Sequence, residues 1–322
     1  MVHLRLIVPE QLAALIVARL NATDCVAHVV QFRTTSSTPA GAVLYCDVVR
    51  EGADGVIEWL RSLGVHHSGA IVIEDLAAAV SDAADRAADR TPGEASDALV
   101  WDELESRARE DAVLSVSYLV FISIAAIIAA IGILLDSSVL VVGAMVVGPE
   151  YGPLAALCVA SVRRRRHIVR HALTTLTVGL VTAAIAAFVA TLLFRATGLT
   201  PGTYDLNRRQ LTSFISHPDG MAAVVAVLAG VAGMLSLTEA RAGALIGVLV
   251  SVTTIPAAAN VGLGTAYGQW TEVRGASLQL LVNIAGLAVA GVATLVVQAR
   301  LTGVDVRSSY DPAEITASLR EG

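Results

Sequence analysis

Residues Ala112–Leu135, AVLSVSYLVFISIAAIIAAIGILL, run for 24 positions without a charged side chain. About 20 residues of helix, rising 1.5 Å each, cross the roughly 30 Å hydrocarbon core of a bilayer. Backbone amides in hydrocarbon must be paired internally, which a helix does within one segment. A barrel strand would alternate polar and apolar residues, and this run does not. Similar runs follow at Ser137–Val162, His171–Phe194, Gly220–Thr238, Ala242–Thr271 and Gly275–Ala299. The sequence therefore predicts a polytopic α-helical membrane domain of about six spans over residues 112–300.

The residues before this run have another character. Residues 1–112 hold 18 acidic residues and nine arginines, although charged residues are only 16% of the chain and apolar ones 55%. A soluble protein carries about 25% charged residues. His3–Pro9, Cys25–Arg33, Ala42–Glu51 and Gly69–Ile73 read as strands, and Glu10–Thr23 and Asp54–Leu63 as helices. The order βαββαβ over residues 1–76 predicts a ferredoxin-like α+β domain. Residues 77–111 read as a linker and charged juxtamembrane helix, and residues 301–322 as a tail. The acidic front part excludes a nucleic-acid partner, which needs a basic face. Cys25, Cys46 and Cys158 are widely spaced and form neither a disulfide framework nor a zinc motif. No phosphate loop, nucleophile elbow or HExxH motif is present, so neither enzyme nor cofactor is expected. Arg163, Arg164, Arg165 and Arg166 form the densest basic cluster. They are expected to act through topology and anionic headgroups, holding that loop and both termini in the cytoplasm of an inner (plasma) membrane protein.

Spans one to three and four to six can be laid side by side as an inverted repeat. Each half contains a Gly/Pro-broken span: GAMVVGPEYGPLAAL at Gly143–Leu157 and GALIGVLVSVTTIPAAANVG at Gly243–Gly262. Paired broken helices in inverted halves point to a solute site at mid-membrane. Pro149, Pro153 and Pro256 would free carbonyls within the spans. The plainer alternative is that the breaks are packing kinks. Glu150, near the middle of span two, is costly to place in hydrocarbon, about 2.5–3.5 kcal/mol on insertion scales. It reads either as a cation or proton site or as a buried carboxyl that fixes packing. Thr253, Thr254, Asn260 and Asn283 are candidates to line a polar pocket with it; ordinary interhelical hydrogen bonds are the alternative.

The stretch LLDSSVLVVGAMVVGPEYGPLAAL resembles the signature of the DUF389 family of uncharacterised hydrophobic membrane proteins. Ser137, Ser138, Gly143, Ala144, Met145, Pro149, Gly152 and Pro153 carry the likeness, and Gly247–Gly262 is similar to a second, glycine-rich signature. The likeness covers about residues 113–265, and Glu150-Tyr151 stands where many members carry apolar residues. It implies an inner-membrane protein of unassigned activity. The expected function is a transporter or channel-like protein for an unknown small solute or ion. Its front domain would regulate it or bring copies together as a homo-oligomer. The alternatives are a membrane-anchored ligand sensor or scaffold, and a lipid-handling protein.

Overall fold

A computed structural model describes residues 1–33, 41–76, 79–91, 101–200, 212, 215, 220–238 and 254–301. The chain forms two compact units: Met1–Glu103 belongs to the first and Leu104–Val297 to the second.

The first unit follows the expected order: β1 (Val2–Val8), α1 (Glu10–Asn21), β2 (Val26–Arg33), β3 (Ala42–Val48), α2 (Arg50–Ser62), a single-turn α3 (Val65–Ser68), β4 (Ala70–Asp75) and α4 (Asp82–Arg90). The four strands pair antiparallel in the order β2-β3-β1-β4. The period-2 pattern of a strand decides its faces. Val2, Leu4, Leu6 and Val8 of β1 and Ala42, Leu44, Cys46 and Val48 of β3 are all fully buried. They form one core with Ala13, Ile16 and Leu20 of α1 and Ala53, Ile57 and Leu60 of α2. The opposite face is left open, with His3 and Arg5 on it. His66 and His67 make up the middle of α3. Gly64, at φ 72°, supplies the left-handed step between α2 and α3.

The second unit is helical. It takes in most of α5 (Trp101–Asp111), then α6 (Val116–Leu134), α7 (Ser138–Val147), α8 (Tyr151–Val162), α9 (Arg166–Ala196), α10 (Gly220–Thr238), α11 (Ile255–Tyr267) and α12 (Trp270–Leu301). Ser115 and Ser137 start α6 and α7 by accepting from the amides of Tyr118 at 3.1 Å and Leu140 at 3.4 Å. Among the described residues α6, α9, α10 and α12 are long and apolar enough to cross a membrane. Their outward faces expose large apolar side chains, Val120, Phe121 and Ile124 on α6 and Val181, Ile185 and Val189 on α9 among them. In water such surfaces would be a liability; hydrocarbon is their matching solvent.

The structure corrects the reading of span two. The break expected within Gly143–Leu157 is present, and the correction is to its form, a sharp bend rather than a kink: α7 and α8 meet at 57° across Gly148–Glu150. The expected span Ala242–Thr271 is seen only as α11, because residues 239–253, Gly243, Gly247 and Thr253 included, lie outside the described residues. The described chain thus holds four spans, or five with the bent pair counted as one.

Candidate functional site

Both breaks turn out to be helix starts. Tyr151 opens α8, with Glu150 as its N-cap, and Ile255 opens α11, with Thr254 as its N-cap. Pro153 and Pro256 therefore lie in first turns, where no intrahelical bond to an amide exists to be lost. The expectation that the prolines free carbonyls within the spans is overturned. The groups that a helix start leaves over are N–H donors, and the end is the positive pole of the helix dipole.

The two caps touch. Thr254 Oγ1 donates to Glu150 Oε1 at 2.9 Å, and both residues are fully buried. Glu150 Oε2 is also buried and has no hydrogen-bond partner among the described residues. It lies over Gly148, where a methyl group would collide with that oxygen and with the Ile255 side chain. Pro149, between Gly148 and Glu150, belongs to the short link that makes the bend. Tyr118, in the first turn of α6, stands within electrostatic range of Glu150, and its buried hydroxyl also lacks a partner.

The two half-helices leave this point in opposite directions. α8 turns back through Arg163–Arg165 into α9 and packs along it, so the two are antiparallel. α11 runs the same way as α9. Its Gly262 presses on Ala184 and Phe188, and farther along the Ala266 carbonyl accepts from Arg195, whose guanidinium also lies 4.6 Å from the centre of the Tyr267 ring. Two positive helix ends thus face one carboxyl from opposite sides.

The neighbours of the carboxyl place it along α6 and α9. The Tyr118 hydroxyl lies against Gly179 of α9, Thr175 of α9 donates to the Ala112 carbonyl at 2.6 Å, and Asp111 packs on Gly152. By helix rise, Gly179 lies about 6 Å beyond Thr175 and about 26 Å short of Ala196. Glu150 is central in its sequence segment, but the bend carries α8 away beside the first turns of α9, which leaves the carboxyl nearer the Ser115 end of α6.

The other candidates go elsewhere. Asn260 lies six residues past Thr254, about 9 Å along α11 and on another face. Its Nδ2 donates to buried Glu272 at 3.2 Å. Asn283 accepts from Gln279 at 3.0 Å within α12. Glu272 and Gln279 escaped the sequence reading, although both are acidic or polar residues in otherwise apolar surroundings. Beside the site, Tyr151, Leu154, Cys158, Gly230, Gly233 and Met234 line a crevice of about 10 Å³, room for about one water. Tyr151 donates there to the Gly233 carbonyl at 2.8 Å.

The arginine cluster is also corrected. Arg163 and Arg165 do not simply face headgroups: buried Glu105 of α5 draws their Nε atoms to 3.6 and 3.2 Å, and Arg109 to 2.7 Å. Burial pushes the Glu105 carboxyl up, but the Arg109 hydrogen bond and the Arg165 and Arg163 charges outweigh it and hold it below its usual range. In the first unit, Ile57, Arg61, His66, Ile71, Ile73 and Asp102 line an open cleft of about 260 Å³ in which Arg61 and Asp102 pair at 2.8 Å.

Comparison with known proteins bears on the same stretch. A relative from Methanocaldococcus jannaschii, itself described only as an uncharacterized protein, is 25% identical over 189 residues, which cover 58% of this chain and 55% of that protein. The chain thus spans about half the length of this curated relative. No solved structure matches. Residues 145–289, from the end of α7 through both caps to α12, match the family described as "Domain of unknown function (DUF389)". The stretch that carries both caps, Glu150 and Thr254, is thus similar to a DUF389 domain.

Proposed function

We propose that this chain is a membrane transport protein whose solute pathway passes Glu150. One observation carries the reading: a fully buried carboxyl with one oxygen held by Thr254 and the other without a partner, at the junction of two oppositely directed half-helices. A buried ionisable group in an apolar bundle is costly and marks an ion or proton path by default. Half-helices that start at a common point are a way to bind a small ion without side chains. The carboxyl is shut off from solvent in this conformation, as the occluded step of alternating access requires. Their opposite directions agree with an inverted repeat of three plus three spans. On this reading the Arg163–Arg166 loop is cytoplasmic, both termini lie on that side of the plasma membrane, and the first unit regulates transport or joins copies of the chain.

The test is flux of ions and small solutes into proteoliposomes, comparing wild type with Glu150→Gln. Loss of solute flux, or its separation from proton movement, is expected; equal solute flux with equal proton movement in both proteins would remove Glu150 from the mechanism. A second reading, a ligand sensor that moves nothing, draws on the cleft around Arg61 and Asp102. It predicts ligand binding to the first unit and no flux in wild type.

A further inference from the structure

We infer that the solute is an anion taken up together with a proton on Glu150. The inference rests on the transport reading above and assigns its substrate class. Each helix start carries about half a positive charge. Those of α8 and α11 point at the same place, because Glu150 and Thr254, their caps, are hydrogen-bonded to each other. Two such ends and one ionised carboxylate roughly cancel, so the ionised site has no charge to offer a solute of either sign. Protonation of Glu150 removes the negative member and leaves about one positive charge facing a buried spot.

The donors at that spot are the amides of the two first turns, Tyr151 and Gly152 on one side and Ile255 and Ala257 on the other, none of which has a carbonyl one helical turn back within its own helix. Amide donors at converging helix ends suit an anion and repel a metal cation. Glu150 Oε2 is the second sign that the site is built for a ligand. It is fully buried, has no hydrogen-bond partner among the described residues, and packs against Gly148, where any side chain would collide with it.

Among the described residues the titratable neighbours are Tyr118 on α6, Tyr151 at the head of α8 and Asp111 at the end of α5. The phenols ionise only near pH 10 in water, and Tyr151 is already committed to the Gly233 carbonyl. Asp111 packs on Gly152 and is exposed to solvent. Glu150 is left as the group that can take up and release the proton. The balance of the step is simple: one proton adds to a Glu150 carboxylate oxygen, one anion joins the amide donors, and both leave together. Because anion and proton each favour the other, the coupling is reciprocal. On the alkaline side the anion's apparent affinity falls by up to about tenfold per pH unit, the fraction of protein in the competent state falling at that rate.

The experiment uses full-length protein in liposomes loaded with a pH-sensitive dye, with the membrane potential clamped. Inward gradients of chloride, nitrate, sulfate and dihydrogen phosphate are applied in turn, then of sodium and potassium with a bulky organic anion. At least one inorganic anion is expected to acidify the lumen of wild-type vesicles, with uptake weakening toward alkaline pH. Glu150→Gln, a permanent imitation of the protonated form, is expected to move the same anion without acidification and with a flat pH profile. Thr254→Val, which removes the donor that favours the ionised carboxyl, should move the alkaline limb to higher pH, and Asp111→Asn should leave it in place. Proton movement driven by sodium or potassium and by none of the anions would overturn the inference and leave transport standing. So would an Asp111→Asn protein that loses the alkaline limb. Wild-type vesicles that move no solute at all would end the transport reading, and the inference with it.

Discussion

Gly262→Ala should loosen the helix on which Thr254 stands. At Gly262, α11 rests directly on the backbone of α9. An added methyl group would lie 2.8 Å from the Phe188 nitrogen and 3.1 Å from the Ala184 carbonyl carbon, and closer still to the Ala184 oxygen. Ordinary contacts at a methyl group begin near 3.4 Å, so α11 must back away from α9 by on the order of 1 Å. Backbone atoms cannot turn aside as a flexible side chain can, and overpacking of this kind costs about 1–3 kcal/mol. A shift of that size at the far end of a 13-residue helix also stretches the 2.9 Å Thr254–Glu150 hydrogen bond past the useful limit. Thermal unfolding of the purified protein in detergent measures the cost. Gly143→Ala is the control, because a methyl group there meets nothing within 4 Å and should be neutral or stabilising by up to about 1 kcal/mol. If Gly262→Ala is as stable as wild type, the close approach of α11 to α9 is wrong, and so is the placement of Thr254 beside Glu150.

Three other outcomes are expected. Tyr118→Phe should leave stability unchanged or raise it slightly, because the hydroxyl it removes is buried without a hydrogen-bond partner; a loss above about 1 kcal/mol in the same unfolding assay would mean an unseen partner. Glu105 has a folded-state pKa below its unfolded one. Its contribution to holding α5 is therefore complete above about pH 4.5 and is lost as the pH falls through the lower folded value, so protease cleavage within α5 should rise only in acid, and Glu105→Gln should show the raised cleavage at neutral pH. The Cys46 thiol is fully buried, and burial, with Asp47 and Cys25 beside it, pushes it up to about 12; iodoacetamide should leave it unmodified at pH 8 in folded protein and label it once the first unit is unfolded.

The sequence carried the architecture well wherever periodicity decides it. Val2, Leu4, Leu6 and Val8 alternate so regularly that the buried face of β1 could be read directly, and the uncharged run before Asp136 is α6 with its ends trimmed. Glu150 stood out because a carboxyl between two prolines in an apolar segment has few innocent explanations. Its partner was visible only as one of several hydroxyls before Pro256, since spacing along a chain does not say which side of a helix start faces a neighbour. Asn260 was grouped with it for the same reason, and six residues of helix turn it away toward Glu272. The break at Gly148–Glu150 was legible in its glycine and prolines, but its form was not, because proline permits a first turn and a mid-helix kink alike. Glu105 looked like one acid among many in WDELESRARED; only the fold brings it to Arg163 and Arg165, some 60 residues on.

Arg195 and Glu150 stand at opposite tips of α11. One tip is met by a guanidinium that bonds the Ala266 carbonyl, the other by a carboxyl held through Thr254. A rod of 13 residues is about 20 Å long, too short to reach water at both faces of a bilayer. Ordinarily its bare tips would have to be solvated by headgroups or by a thinned membrane. Here the protein supplies the counter-charges itself, so the dipole of α11 is balanced within the bundle rather than by lipid.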